Sequence, residues 1–404
     1  MTKTTQRPAP AQHTLVTAAG WPFLIAAALG RLPSSMVQLG YLMVLSQDGR
    51  GLAIGGLAVA AVGLGTAAGA PLVGRLVDRV GPIPAVAGAT LTSLLGQALF
   101  LWLLVAHAPS HFLLGIAFLV GAANPQIGPV ARSHWSHLSA RLRAPHLVSR
   151  ALGYEGAVDE AGFVIGPVLA GALVSWLGPV PSALAILLLT AGLQGLFIAY
   201  LLRTREDWRR VPAPEASATA RSSLGWGVVL PMLGCLGVGI LFGATQTGLT
   251  ALFNVRGIPG VTGVVYGCVG VGSGIASLLA GRLPDRIRVP VRVLAGAVLM
   301  GVGSLVMQTL PGVLLACLVA LVMGTGAGIT LVSSFAWMER IAPRDRMATM
   351  MTVLATCLTL GVSAGAAAAG RLASDPAQSF WPVLASAALA AVAAAGMRFS
   401  ASRA

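Results

Sequence analysis

Charge is what this chain has least of. Charged side chains make up 9% of its 404 residues, against roughly a quarter in an average soluble protein. Lysine is almost missing: Lys3 is the only one, and the other 25 of the 26 basic residues are arginine. The four cysteines (Cys235, Cys268, Cys317 and Cys357) lie singly in apolar segments. With no C-x-x-C pair and no metal-like spacing, they are read as small apolar packing residues. The chain has no H-E-x-x-H, no G-x-S-x-G and no P-loop lysine, so zinc-protease, serine-hydrolase and ATP-driven chemistry lack their usual residues. No secretory signal peptide is expected, because a polar start gives way to an apolar run too long for a cleavable one. Nucleic-acid binding is also disfavoured. The arginines sit in short gaps instead of forming a contiguous basic face interleaved with aromatics.

What is present in excess is apolar surface. The hydrophobic set reaches 56% with 51 glycines, and mean hydropathy is +0.83. A soluble core cannot use so much apolar surface, whereas a bilayer acts as its solvent. A spanning helix needs about 20 apolar residues, so the gaps between charges count the helices. Uncharged runs at 51–74, 222–255, 257–281, 347–370 and 376–397 each hold one span. Longer runs at 80–131, 161–202 and 293–338 each hold two, broken near Pro109, Gly178–Pro179 and Pro311. One more runs from about Val16 to Ser46 across Arg31, for twelve in all.

Orientation follows from the arginines. With the N-terminus inside, the cytoplasmic gaps and tails hold 22 Lys/Arg, the external gaps hold three (Arg50, Arg256, Arg371), and Arg31 is in the membrane. The reverse would put nearly all of them outside, against the positive-inside rule. Both termini are therefore expected in the cytoplasm. The polar stretch 203–223, read as a cytoplasmic connector and in part as an interfacial helix through Trp208, separates a six-helix half at 17–202 from another at 224–398. Short tails (1–16 and 399–404) flank them. An internal repeat supports the division: Gly74-Arg75-Leu76-Val77-Asp78-Arg79 recurs 207 residues on as Gly281-Arg282-Leu283-Pro284-Asp285-Arg286. Gly20-Trp21 recurs 205 on as Gly225-Trp226. Duplicated halves are common in secondary transporters, where the substrate site lies between them.

The loop Gly74-Arg75-Leu76-Val77-Asp78-Arg79-Val80-Gly81 resembles the GxLxDRxG loop signature of the major facilitator superfamily, with Pro82-Ile83 in place of the usual basic pair. Its second-half copy, with Asp285 and Arg286, has Arg288 where the last glycine would stand. Gly74 and Gly81 are expected to permit tight helix ends, and Asp78 to form a cytoplasmic latch that breaks as the halves rock. In the fifth helix, Gly153, Gly162, Gly166-Pro167 and Ala170-Gly171 are similar to the superfamily's antiporter signature, with Ala170 replacing a glycine. Gly162 and Gly166 share a face that allows close helix approach, and Pro167 permits a bend. The resemblance implies an all-α fold of two six-helix bundles and favours export. The arginine that such exporters often carry in helix 4 is absent; its position resembles Ala117.

Charges inside a bilayer are costly and mark function. Arg31 lies near the middle of helix 1, with Ser35 and Gln38 within about 40° of it at ~100° per residue. Helix 5 carries Glu155, Asp159 and Glu160; Asp159 lies about 12 Å inside a helix starting at Ala151, at ~1.5 Å per residue. Arg31 is expected to pair with Asp159 or Glu160, either as a proton-exchanging site or as a permanent structural pair. Asn124 and Gln126 in helix 4, and Gln246 and Thr247 in helix 7, are candidate cavity lining or interhelical bonds. Tyr41 and Trp337 offer aromatic surface to a lipophilic compound, or mark the interfaces. His134, His137 and His146 are read as part of a solvated cytoplasmic loop, and no metal site is expected.

Together these readings predict a secondary active transporter that exports small amphipathic drugs or metabolites in exchange for protons. The alternative is an importer or facilitator of a polar nutrient such as a sugar, with Arg31 binding an anionic or hydroxylated group. An intramembrane enzyme or a channel is the remote reading. The expected setting is a bacterial cytoplasmic membrane, with the chain working as a monomer and without a cofactor.

Overall fold

The computed structural model describes residues 14–142, 144, 146–205, 226–280, 287–341 and 347–401. It is helical throughout and contains no strand among those residues. The helices are α1 (Leu15–Leu45), α2 (Gly51–Val80), α3 (Pro82–Val105), α4 (Ser110–Ala122), α5 (Ile127–Leu142), α6 (His146–Leu177) and α7 (Pro179–Arg203). They continue as α8 (Val229–Val255), α9 (Val261–Ala280), α10 (Val289–Gln308), α11 (Val313–Ile341), α12 (Met347–Leu372) and α13 (Trp381–Ala401). Eleven stretches of the described residues are long and apolar enough to cross a membrane. Their outward faces are apolar too: Trp176 is 83% exposed and Leu278 71%, a surface that water would not tolerate but hydrocarbon would.

The first of the eleven, Leu15–Val80, is 66 residues long, which as one rod at ~1.5 Å per residue would be about three times a bilayer core. It is instead folded back on itself. Gly49 (φ 82°) and Gly51 (φ 81°) take left-handed backbone, and a Cβ at Gly55 of α2 would come within 2.8 Å of the Leu42 carbonyl oxygen of α1.

Helices do not stop where their charges begin. The α2 helix runs on through Arg75, Asp78 and Arg79 to Val80, so Gly74 lies inside a helix and not at its end. Gly81 is the true terminus, at φ 93°, followed by Pro82 at the first position of α3. The segment 132–142, expected as a loop, is likewise helical, because no breaker intervenes before Pro145. The break falls earlier, at Ala123–Gln126 between α4 and α5. Pro125 lacks an N–H and disfavours α conformation at Asn124, and Gln126 has φ 52°. Asn124 and Gln126 therefore sit in an interruption of the expected fourth helix.

The internal repeat is visible in the packing. A Cβ at Gly65 of α2 would strike the Phe118 carbonyl oxygen of α4, and one at Gly121 of α4 would strike that of Val62. In the second half Gly272 of α9 meets the Leu321 carbonyl of α11 in the same way, and Gly324 meets that of Val269. The shift from α2 to α9 is 207 residues (65 to 272), that of the loop repeat, and from α4 to α11 it is 203 (121 to 324). Two helix crossings that admit only glycine thus recur at matched positions.

So do two arginines. Arg50, before α2, donates from Nη1 to the Ala108 carbonyl (2.7 Å) and Ser110 Oγ (3.2 Å) and pairs through Nε with Asp48 (2.9 Å). Arg256, after α8, donates from Nη1 to the Pro311 carbonyl (2.6 Å) and from Nη2 to that of Leu310. Each guanidinium ties one interhelical turn to the next, and the turns themselves match, with left-handed His107 (φ 48°) and Leu310 (φ 54°). Charge-assisted bonds contribute about 1.5–3 kcal/mol when shielded from solvent and less when exposed. Arg50 is 13% exposed, whereas Arg256 is an exposed residue. Arg50→Ala is therefore expected to lower stability by about 2 kcal/mol and Arg256→Ala by under about 1 kcal/mol. Thermal unfolding of the two variants in detergent checks the order.

The residues up to Arg203 supply two apolar clusters, one around Tyr41, Phe100 and Ile186, which also takes in Ala366 of α12, and one around Phe23, Trp135 and Phe197. Those from Val228 onward form three more. The two sets of helices meet along two seams. Along α2 and α12, Gly56 lies against Ala366 and Gly370, and Gly63 against Ser363. Along α6 and α9, Gly171 lies against Gly263, and Gly263 against Pro167 and Val168. Along α2 these contacts reach mid-helix at Gly63, and they start at the end of the bundle where α1 and α8 finish and α2 and α9 begin. There Asn254 Nδ2 also donates to Ser46 Oγ at 3.3 Å.

Candidate intramembrane ion-pair site

Arg31 reaches the interior because α1 is tightly docked beside it. A Cβ at the preceding Gly30 would lie 2.9 Å from Ile127 Cδ1 and 3.3 Å from Phe197 Cβ. On the facing side, Gly166 of α6 leaves 2.7 Å between its own absent Cβ and that of Ser35. Gly162 faces the same serine. This close approach of α1 and α6 brings Arg31 between two carboxylates one helical turn apart. Its Nη2 pairs with Glu155 Oε2, and its Nη1 with Asp159 Oδ1 at 3.0 Å.

A second cation completes the cluster. Arg132 of α5 pairs through Nη2 with Asp159 Oδ2, so that carboxylate lies between two guanidinium groups. Gly128, one turn earlier, leaves room for both: its Cβ would be 3.6 Å from Arg132 and 3.7 Å from Arg31. Trp135, one turn after Arg132, donates its indole N–H to Glu155 Oε1 at 2.7 Å. Tyr154 holds the start of this region to α1 by donating to the Leu24 carbonyl at 3.0 Å. Two positive and two negative side chains are thus matched, as buried charges require.

The cluster is graded from closed to open. Glu155 is 0% exposed and Arg31 11%, whereas Asp159 is 33% exposed and Arg132 38%. Glu155 accepts from both Arg31 and Trp135 and serves as the fixed end. Asp159 is the accessible carboxylate, with both oxygens engaged by arginine. Arg31 Nε is buried with no hydrogen-bond partner.

The expected Arg31–Asp159 pair is present, joined by Glu155. The side chains of Glu160, His137 and His146 and the surroundings of Gly153 lie outside what is described, as does the whole of Asp285 and Arg286. Arg132 and Trp135 were missed as site residues because the first charge after an apolar run was read as the end of the helix. The four-residue spacing of Glu155 and Asp159, which puts them on one helical face, could have singled out that pair.

The other candidates separate by whether their polar atoms are already engaged. Gln38 is half-buried and Gln246 is 2% exposed, and neither amide makes a hydrogen bond among the described residues. Asn124 Oδ1 accepts from Ser34 Oγ at 3.1 Å, and Gln126 Nε2 donates to the Asn124 carbonyl at 3.3 Å. Thr247 Oγ1 donates to the Gly243 carbonyl of its own helix at 3.1 Å. Tyr41 does not stand open to a compound; its ring is stacked on Phe100 at 3.9 Å within the core. Trp337 is buried in a cluster with Val289 and Val293, its indole N–H unpartnered. His134 is buried against Phe23, with ring centroids 4.8 Å apart, and so is not a solvated loop residue. Asp78 is exposed and makes no ion pair among the described residues; Arg79, Gly74 and Gly81 lie beside it at the end of α2.

Long apolar helices, matched glycine crossings and an ion-pair cluster set among α1, α5 and α6 define a polytopic membrane protein. The family model of the Major Facilitator Superfamily matches residues 23–366, and the chain belongs to that superfamily. Among curated proteins it is similar to the "Uncharacterized MFS-type transporter y4rN" of Sinorhizobium fredii. The two are 30% identical over 283 residues, covering 64% of this chain and 65% of that protein. The chain thus spans just under two thirds of the length of the relative it matches. Among solved structures, the nucleoside transporter NupG superposes with a TM-score of 0.71 at 12% identity, covering 93% of this chain and 99% of that one. A bacterial homologue of the iron transporter ferroportin in an inward-facing state gives 0.68 at 15% identity, with 95% and 99% covered. The POT family transporter PepTSo gives 0.66 at 14%, with 95% and 97% covered. At these identities the likeness is one of fold.

Proposed function

We propose that this protein is a proton-coupled secondary transporter that works by alternating access and exports small amphipathic compounds. The observation that carries the reading is the Arg31–Glu155–Asp159–Arg132 cluster, in which one carboxylate is buried and pinned and the other is one-third exposed. A proton arriving at an Asp159 oxygen neutralises the group that holds Arg31 to Arg132. The two guanidinium groups then part from it, and the contact between α1, α5 and α6 loosens. Loss of that proton restores the cluster. A compound that competes with the proton for Asp159 travels in exchange for it.

In this reading the 66-residue first stretch supplies two crossings and the chain crosses twelve times, six in each half (17–202 and 224–398), joined by the segment 203–223. Both termini are cytoplasmic, as the arginine distribution requires, in a bacterial cytoplasmic membrane. The Gly56–Ala366 and Gly171–Gly263 seams are then on the outer side and the unlatched Asp78 on the inner side, an inward-facing arrangement. Gln38 and Gln246, one in each half with a free amide, are the first candidates to meet the substrate. Export rests on the glycine pattern of α6. The chain functions as a monomer.

One observation favours a second reading. Two guanidinium groups converge on a single accessible carboxylate, a geometry that suits binding of an anion once Asp159 is protonated. Proton and anion would then move together, inward. Proteoliposomes with an imposed pH gradient and an internal pH dye separate the two. Compound-dependent proton release opposite to substrate movement supports exchange, parallel movement supports import, and saturable flux without a proton signal overturns both.

A further inference from the structure

The cysteines, single in sequence, are paired in space. Cys268 of α9 adjoins Cys317 of α11, and Cys235 of α8 faces Cys357 of α12. Helix register explains both pairs. In the first, Gly272 is set against the Leu321 carbonyl and Gly324 against that of Val269, so the two backbones touch. One turn back from Gly272 is Cys268, and one turn back from Leu321 is Cys317. In the second, Gly239 lies against the Leu358 carbonyl and Gly361 against that of Leu236, which brings Cys235 and Cys357 level. Crossings this close bring the cysteines towards the Cα separation of ~4.4–6.8 Å that a disulfide spans.

The two pairs differ in surroundings. Cys235 is fully buried at the start of α8, towards the end of the bundle where α2 terminates. Cys268 and Cys317 are both partly exposed. Cys268 shares a helical face with Val264, Val271 and Ile275, each more than a third exposed. It lies about 10 Å from the start of α9, and Cys317 about 6 Å from the start of α11, at ~1.5 Å per residue. That is the end of the bundle at which the two seams close.

We propose that Cys268 and Cys317 are a modification site: an oxidisable dithiol that forms a disulfide between α9 and α11. Two S–H bonds break and one S–S bond forms. The two electrons and two protons pass to a lipid-soluble quinone, which leaves as quinol, and the apolar approach across Val264 and Ile275 suits such an oxidant. Both helices belong to the same half, so the bond staples one rigid body and leaves the seams between halves free to open. In the proposed orientation the pair lies towards the oxidising side of the membrane, where disulfides persist. The pairing itself does not depend on that orientation.

The test uses the full chain in membranes, treated with a membrane-permeant quinone and then with a thiol-alkylating mass tag. The expected result is loss of two taggable thiols, with a cross-linked peptide that joins Cys268 to Cys317 on mass spectrometry. Cys268→Ser or Cys317→Ser should each abolish the cross-link, and Cys235→Ser should leave it intact. Retention of all four thiols, or a cross-link between Cys235 and Cys357 in place of the other, overturns the proposal. The proton-coupled reading is tested by transport and does not bear on this outcome.

Discussion

Replacing Asp159 by asparagine is expected to abolish compound-driven proton movement while the protein remains folded and in the membrane. The asymmetry of the cluster is the reason. Arg31 keeps Glu155, which is fully buried and also bonded to Trp135, so the inner end of the network survives the change. Arg132 loses its contact with the Asp159 carboxylate, but it is 38% exposed and within reach of water. An asparagine amide cannot carry a proton on and off, so coupled flux should fall at least about 100-fold, the scale on which removal of a proton-transfer group acts. Downhill counterflow of the compound should persist. The contrasting variant is Glu155→Gln, which halves the anionic charge around a guanidinium only 11% exposed. Breaking a buried pair costs about 3–5 kcal/mol, and the remaining Asp159 contact reduces this to about half. Glu155→Gln should therefore appear first as a lower unfolding temperature and poor yield, and Asp159→Asn as normal yield with no proton signal. If the two phenotypes are exchanged, Glu155 is the proton site; if both variants couple normally, the cluster is structural.

The sequence was most legible where a charge is expensive. The uncharged runs mark helices because a bilayer penalises ionised groups, and they fall on the membrane-length helices of the described residues apart from α1, which runs across Arg31. It was less legible at helix ends, because charge sets where a helix meets water and not where it stops turning. The α2 helix passes Arg75 and Asp78, and α5 passes Arg132 and Arg141; backbone breakers (Gly81 with Pro82, and Pro125) fix the real boundaries. Pairing between helices was the least legible. Arg31 could be matched to helix 5 by charge alone, yet its bond to Glu155 depends on the depth at which Gly162 and Gly166 seat α6 against Ser35. The same blindness to interhelical register left Tyr41 without Phe100 and the four cysteines without one another. The repeat is the exception. Its 207-residue offset was readable in two loops, and it reappears at Gly65 and Gly272 because identical helix crossings require glycine in both halves.

The other large effect is expected at the seams. Gly263→Leu places a side chain where a Cβ alone would meet the Pro167 carbonyl and lie 3.0 Å from Val168 Cα. Gly56→Leu does the same against the Ala366 carbonyl of α12. Backbone on both sides of these contacts cannot give way, and overpacking of this kind costs about 1–3 kcal/mol. The cost is expected to fall mainly on the seam-closed conformer, because both seams join the helices up to α7 to those from α8 onward. A penalty of that size shifts the balance between seam-closed and seam-open states roughly 5- to 150-fold, and two distant seams should add. The double variant is therefore expected to rest with the seam side open, to transport at least about tenfold more slowly, and to unfold at a temperature close to that of the parent. A cysteine placed at Ser46, which meets Asn254 across the closed end, should become reactive to a membrane-impermeant thiol reagent in the double variant and not in the parent. Gly324→Leu is the control: its crossing with Val269 lies inside one half, so it should destabilise the fold without exposing position 46. Equal reactivity in parent and double variant would mean that the seams do not close the pathway, and the alternating-access reading of the two glycine seams would fail with it.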